Sequence, residues 1–138
     1  MAKDIIHEPV KKALKNADWT VTHDQYTMVY AEFIMYADLA AERLIAAERG
    51  KEKIAVEIKS FVRRSAVQDV KDALGSYEMY KVFLEELEPD RKLYLAISER
   101  AYHDTFRLDA VQLLLRRFSI PLIVVNIEQE EIVLWTDS

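Results

Sequence analysis

Ile54-Ala55-Val56-Glu57-Ile58-Lys59 decides how this chain is read. Side chains alternate across a β-strand, so Ile54, Val56 and Ile58 point to one side and Ala55, Glu57 and Lys59 to the other. An acid and a base therefore share one face of an otherwise apolar strand. Such groups are costly to hold away from water unless they are paired or bind something. Asp38, in Tyr36-Ala-Asp38-Leu39, lies upstream across an expected hairpin and is the best-placed third member. Glu42 and Glu48 are weaker competitors.

An acid, any residue, then lysine occurs three times in the chain, because Asp69-Val-Lys71 and Asp90-Arg-Lys92 also match. Context separates them. Asp69 and Lys71 fall within a predicted helix, where positions two apart diverge, and Asp90 and Lys92 follow Pro89 in a polar turn. Only Glu57 and Lys59 sit on one face of a core strand.

The chain has 138 residues, of which 51% are hydrophobic. That length and apolar content fit a single globular domain, 1–138, with a real core. No apolar run approaches the roughly 18 residues needed to cross a membrane, and the N-terminus has no signal-peptide core, so the expected compartment is the cytoplasm. The absence of cysteine excludes disulfides and thiolate metal sites. Any bound metal must use oxygen or imidazole ligands, which favours Mg²⁺ or Mn²⁺. A net charge of −5 argues against a broad nucleic-acid footprint without excluding DNA. The basic doublets Lys11-Lys12, Arg63-Arg64 and Arg116-Arg117 read mainly as solvated faces. Arg63 and Arg64 follow the strand directly and are the candidates for phosphate contact. A homodimer or a partner protein would supply further positive charge.

Periodicity predicts an amphipathic helix over 4–16, with Pro9 in its first turns where a missing N–H costs little. Trp19 to Thr22 reads as a short strand, and Tyr26 to Leu39 contains at least one more. Leu44 to Ala47 and Lys53 to Phe61 form two strands around Gly50, which supplies the turn. Ser65-Ala-Val-Gln68 is a capping box that opens a helix carrying Val67, Val70, Leu74, Tyr77 and Leu84 inward and ending before Pro89. Leu93 to Ile97 is a strand buried on both faces. A helical pattern follows over 99–118 with a break near Arg107, and a closing hairpin pairs Leu122 to Ile127 with Glu131 to Trp135. The fold class is α/β (α+β), a central mixed sheet flanked by helices.

Two carboxylates converging on one point, here Asp38 and Glu57, hold a divalent cation that binds a scissile phosphate and lowers the pKa of an attacking water. Lys59 then stands where a point positive charge stabilises the developing negative charge. Spacing alone admits an equal alternative, an exposed ion pair at a sheet edge worth ~0–1 kcal/mol.

Asp38-Leu-Ala-Ala-Glu-Arg-Leu-Ile-Ala-Ala-Glu48, followed by Lys53-Ile-Ala-Val-Glu-Ile-Lys-Ser-Phe61, resembles the XisH family, the fdxN element excision controlling factors of cyanobacteria. Further matches are Lys3-Asp-Ile-Ile-His7, Trp19-Thr-Val-Thr-His-Asp24, Leu84-Glu-Glu-Leu-Glu-Pro-Asp-Arg91 and Leu93-Tyr-Leu-Ala96. The resemblance implies a restriction-endonuclease-like fold of the PD-(D/E)XK superfamily, with Asp38, Glu57 and Lys59 as catalytic residues and Asp38 and Glu57 as metal ligands. It also implies a role in excising a DNA element during heterocyst differentiation, alongside a recombinase and a companion protein, XisI. Two departures stand out: Ala40 replaces a usual glycine, and Gly75-Ser76-Tyr-Glu-Met-Tyr80 stands where relatives carry Gly-Gln-x-x-x-Tyr. Ser76 is too short to reach as a glutamine does, while Tyr80 is retained as an accessory candidate. Two readings follow: a metal-dependent DNA endonuclease, or a non-catalytic accessory factor acting through a XisI-like partner.

His7, His23 and His103 lack metal-ligand spacing. His7 is an accessory candidate because the first helix borders the active site in this fold. The tyrosines and tryptophans fall at apolar-periodic positions and read as core. No Gly-rich phosphate loop, Ser-His-Asp arrangement or dinucleotide fingerprint is present.

Overall fold

β5 (Gly50–Ile58), which carries the Glu57 pattern, runs through the interior of a six-stranded mixed sheet. The computed structural model describes residues 4–46, 50–61 and 65–136. In chain order the elements are α1 (His7–Asn16), β1 (Thr20–His23), β2 (Tyr26–Tyr30), β3 (Phe33–Ala37), β4 (Leu39–Ala46) and β5, then α2 (Ala66–Leu87) and β6 (Arg91–Ser98). They continue with α3 (Glu99–Ala101), a π-helical turn (Tyr102–Phe106), α4 (Asp109–Arg117), β7 (Leu122–Asn126) and β8 (Glu131–Trp135). The sheet order is β1-β4-β5-β6-β7-β8. β5, β6 and β7 are parallel to one another, and the remaining neighbours pair antiparallel.

The expected mixed sheet flanked by helices is what forms. β6 is buried on both faces because the crossover helices α2 and α4 cover one side of the parallel strands and α1 covers the other. Ile54, Val56, Ile58, Tyr94 and Ala96 pack with Val10, Ala13 and Leu14 of α1 on one face. Ala55, Leu93, Leu95 and Ile97 pack with Val70, Ala73, Tyr77 and Leu84 of α2 on the other. The alternation read from the sequence is therefore real, and the Ala55, Glu57, Lys59 face lies under a helix.

Several boundaries moved. The Tyr26 to Leu39 run breaks into an antiparallel hairpin, β2–β3, that forms its own two-stranded sheet, with Ala31 at φ 51 in its turn. Met28 and Met35, paired across it, face the α2-side core, whereas Val29 and Ile34 face outward. β4 starts at Leu39, well before the expected Leu44, so Asp38 sits in the bend ahead of β4. The first helix begins at His7 where 4–16 was expected, and Asp4 stays outside it. β5 ends at Ile58, which leaves Lys59 as the first residue beyond the strand. Gly50 does adopt a positive φ of 74.

α2 starts as predicted, with Ser65 Oγ accepting the Gln68 N–H at 3.2 Å. Gln68 Nε2 also donates to Asp72 Oδ1 one turn on. Val67, expected inside, is 67% exposed. Residues 65–68 are all exposed and burial starts at Asp69, so the helix meets the sheet only after its first turn. Tyr77 anchors the middle of α2 by donating its hydroxyl to Leu93 O at 2.8 Å. The predicted break near Arg107 is present, between the π-helical turn and α4.

The N-terminal end of β6 is closed by a buried guanidinium. Arg91 Nη1 donates to Ile54 O at 2.9 Å and Nε to Glu88 Oε2 at 2.8 Å. The Tyr26 hydroxyl donates to the same Glu88 oxygen, tying the β2–β3 hairpin to the end of α2. No described helix is long and apolar enough to cross a membrane.

Candidate functional site

The site sits where β5 leaves the sheet, opposite the end closed by Arg91. Three successive backbone amides there are held by three different parts of the chain. Ile58 N–H donates to Asp38 Oδ2 at 2.7 Å, Lys59 N–H to Ala96 O of β6 at 3.1 Å, and Ser60 N–H to Asp4 Oδ2 at 3.0 Å. The β4–β5 ladder has Leu39↔Val56 as its terminal rung at this end. The next amide on that side belongs to Ile58, and the Asp38 carboxylate takes it in place of a strand carbonyl. The sequence places an acid immediately before β4 for this reason: a short side chain reaches back to cap the neighbouring strand.

Glu57 projects from the α2 face and hydrogen bonds to Asp38. Burial, the Asp38 hydrogen bond, the Asp38 charge and a smaller contribution from Asp4 push its carboxyl up to about 10, against a smaller downward pull from Lys59. Burial and a neighbouring carboxylate both disfavour the charged form of Glu57, so Glu57 keeps its proton. Tyr80, on α2, faces the pair. Its phenol is raised by burial first, then by the charges of Glu57 and Asp38.

The donors that converge are carboxylate oxygens. Asp38 Oδ2 is committed to Ile58, leaving Oδ1 and the Glu57 carboxyl, which suits a hard cation that keeps several waters and takes one or two protein carboxylates. No group of three His, Asp or Glu side chains able to hold a metal occurs among the described residues. Water or substrate oxygens would have to complete any coordination shell.

A family model described as XisH protein matches residues 1–133. The chain belongs to the XisH family. It is similar to a XisH family protein from Nostoc punctiforme PCC 73102, at 35% identity and TM-score 0.87 over 96% of this chain and 99% of that one. It is also similar to an fdxN element excision controlling factor protein from Anabaena variabilis, at 37% identity and TM-score 0.87 over 97% of this chain and 99% of that one. No curated protein matches it.

In this XisH chain the fold brings Asp38, Glu57, Lys59 and Tyr80 together. His7 is not with them. It is buried on the α1 side of the sheet, opposite Glu57, with Nε2 2.8 Å from Asp24 Oδ1, and Asp24 also pairs with Lys11 at 2.8 Å. The expectation that His7 faces the site fails because the first helix packs under the Ile54, Val56, Ile58 face. Arg63 and Arg64 lie outside the described residues, as does Glu48. Glu42 lies at the Arg91 end of the strands, paired with Lys51 at 3.3 Å and Arg91 at 3.7 Å, and is no competitor to Asp38.

Asp4 is the residue that sequence reasoning passed over. An aspartate just ahead of a helix reads as a local cap, and it does accept the Ile6 N–H at 3.0 Å. Nothing in its spacing signals the bond to Ser60. A cavity of about 830 Å³ opens beyond Ser60, at the carboxyl ends of β5, β6 and β7, between the Ile5-Ile6 segment and α3. Asp38, Glu57, Lys59 and Tyr80 do not line it. The site is recognised by its convergent groups and not by the size of the neighbouring hollow.

Proposed function

We propose that this chain is a divalent-metal-dependent DNA endonuclease of the restriction-endonuclease-like, PD-(D/E)XK type, acting in programmed excision of a DNA element. The excision role follows the description of the Anabaena variabilis relative. The observation that carries the chemistry is the hydrogen-bonded Asp38 and Glu57 pair with Lys59 on the same side of the β5 exit. Asp38 and Glu57 would hold Mg²⁺ or Mn²⁺, the cation taking the place of the proton on Glu57. When bound, the cation polarises a DNA phosphate and makes an attacking water more acidic. Asp38 keeps its orientation through the Ile58 amide. Lys59 presents its ammonium to the phosphate oxygens, where it stabilises negative charge built up during attack. Tyr80 closes the α2 side and limits the water that reaches the carboxyl pair.

Incubation of supercoiled and branched DNA with the protein and Mg²⁺ or Mn²⁺ tests this reading. Cleavage is expected from the wild type and is expected to vanish in Glu57→Ala and Lys59→Ala; cleavage that survives both changes removes these residues from the mechanism.

A second reading, an accessory factor that works through a XisI-like partner protein or a recombinase, is favoured by one observation. The outer face of the β2–β3 hairpin exposes Val29, Ile34 and Tyr36, with Ile34 62% accessible. Apolar side chains grouped on a protruding hairpin are what a protein partner covers. Co-expression with the partner checks it: co-elution abolished by Ile34→Asp supports the accessory role, and separate elution at micromolar concentration removes it.

A further inference from the structure

Ser60 is the point at which the chain turns away from the sheet, and it is held by a residue 56 positions earlier. Its backbone N–H and its hydroxyl both donate to Asp4 Oδ2, each at 3.0 Å. The other Asp4 oxygen, Oδ1, accepts the Ile6 N–H at 3.0 Å. Both oxygens are thus engaged, one within the segment leading into α1 and one across the exit of β5. Asp4 therefore spends both oxygens on the backbone around Ser60 and Ile6 while its charge reaches Glu57.

Lys59 is fixed on either side by this arrangement. Its own N–H is tied to Ala96 O, and the following amide is tied to Asp4. A lysine stem is long and flexible, so where its ammonium goes depends on how firmly the backbone beneath is set. We propose that Asp4 is a positioning residue that clamps the β5 exit at Ser60 and so holds the Lys59 ammonium beside the Asp38 and Glu57 carboxyl groups. The proposal rests on the nuclease reading for its chemistry and on the Asp4–Ser60 bonds for its geometry. A displacement of about 1 Å in a catalytic group costs on the order of 100-fold in rate, enough for the clamp to matter.

Asp4→Asn replaces one of the two acceptor oxygens by a donor, so either Ser60 or Ile6 loses its partner. Ser60→Ala removes the hydroxyl bond and keeps the amide bond. In metal-free protein, amide hydrogen exchange at Ser60 is expected to quicken by about tenfold in Asp4→Asn and less in Ser60→Ala, with Leu95 in β6 unchanged. The Lys59 ammonium resonance is expected to shift in the same order. With DNA and Mn²⁺, kcat is expected to fall roughly ten- to 100-fold in Asp4→Asn at unchanged KM. Calorimetric Mn²⁺ affinity is expected to stay near the wild-type value.

Unchanged exchange and an unmoved Lys59 signal in Asp4→Asn overturn the clamp. Loss of Mn²⁺ binding to the level of Glu57→Gln overturns it differently, by making Asp4 a ligand. If the wild type cuts no DNA, the nuclease reading fails, while exchange and the Lys59 resonance still decide whether the clamp exists.

Discussion

Asp38 Oδ2 accepts the Ile58 N–H at 2.7 Å, and this one bond gives the carboxylate two tasks. It completes the edge of the β4–β5 pairing where strand carbonyls run out, and it holds the Asp38 carboxylate beside Glu57. A group that is rigid because the fold needs it is a good ligand, since no ordering remains to be done when something binds.

Those two tasks separate under mutation. Asp38→Ala strips the Ile58 amide of its acceptor and is expected to cost about 1–3 kcal/mol in urea unfolding. Asp38→Asn keeps an acceptor oxygen and is expected to lose less than half of that. Calorimetric Mn²⁺ binding should vanish in both. Equal destabilisation by the two changes would show that the amide bond is not what Asp38 contributes to stability.

Glu57 gives stability an alkaline limit. Its folded pKa of about 10 lies above the ordinary 4.5, so the native chain keeps a proton that the unfolded chain releases. The stabilising contribution is full below about 4.5, declines as pH rises beyond that, and is gone above about 10. Glu57→Gln keeps the neutral shape and removes the titration. Metal-free unfolding free energies at about pH 6 and about pH 9 should therefore differ clearly less in the variant than in the wild type.

Glu88 sets the opposite, acidic limit. Hydrogen bonding to Arg91 is the largest influence on it, and together with the Tyr26 hydrogen bond and nearby positive charge it outweighs burial and holds the carboxyl down to about 2. The unfolded chain takes up the proton first as pH falls, so the contribution is full above about 4.5 and is lost as pH drops toward about 2. Glu88→Gln should flatten acid unfolding in that window. Arg91→Met, which leaves Glu88 and Ile54 O without their guanidinium, is expected to cost about 3–5 kcal/mol by chemical denaturation.

Gly75 has a simpler outcome. It lies in α2 on the solvent side, and a Cβ added there meets nothing within 4 Å. No close approach to the sheet requires a glycine there. Gly75→Ala is expected to stabilise the protein by about 0.4–1 kcal/mol, read as a higher urea midpoint at unchanged slope.

Much of the fold was legible because its signals are local. The alternation in Ile54 to Lys59, the continuous run Leu93 to Ile97 and the cap at Ser65 each follow from a few neighbouring residues. The hairpin inside Tyr26 to Leu39 was hidden because aromatic and β-branched residues dominate that run, and its turn at Ala31 has neither glycine nor proline to mark it. His7 was misplaced for a related reason: a helix pattern says which face is apolar, not which side of the sheet it covers.

The sequence by itself determined that Glu57 sits on the alternate face of a core strand with Lys59 two residues on, that the sheet is mixed, and that a metal could find only oxygen or imidazole donors. Only the tertiary structure decided that Asp38 turns back onto Ile58, that α2 brings Tyr80 over the pair, and that Asp4 reaches across to Ser60. The physical reason is range. Periodicity and capping act over one or two turns of chain, whereas convergence of the acids depends on how bends and crossovers stack segments far apart in sequence, and no residue's own chemistry records that.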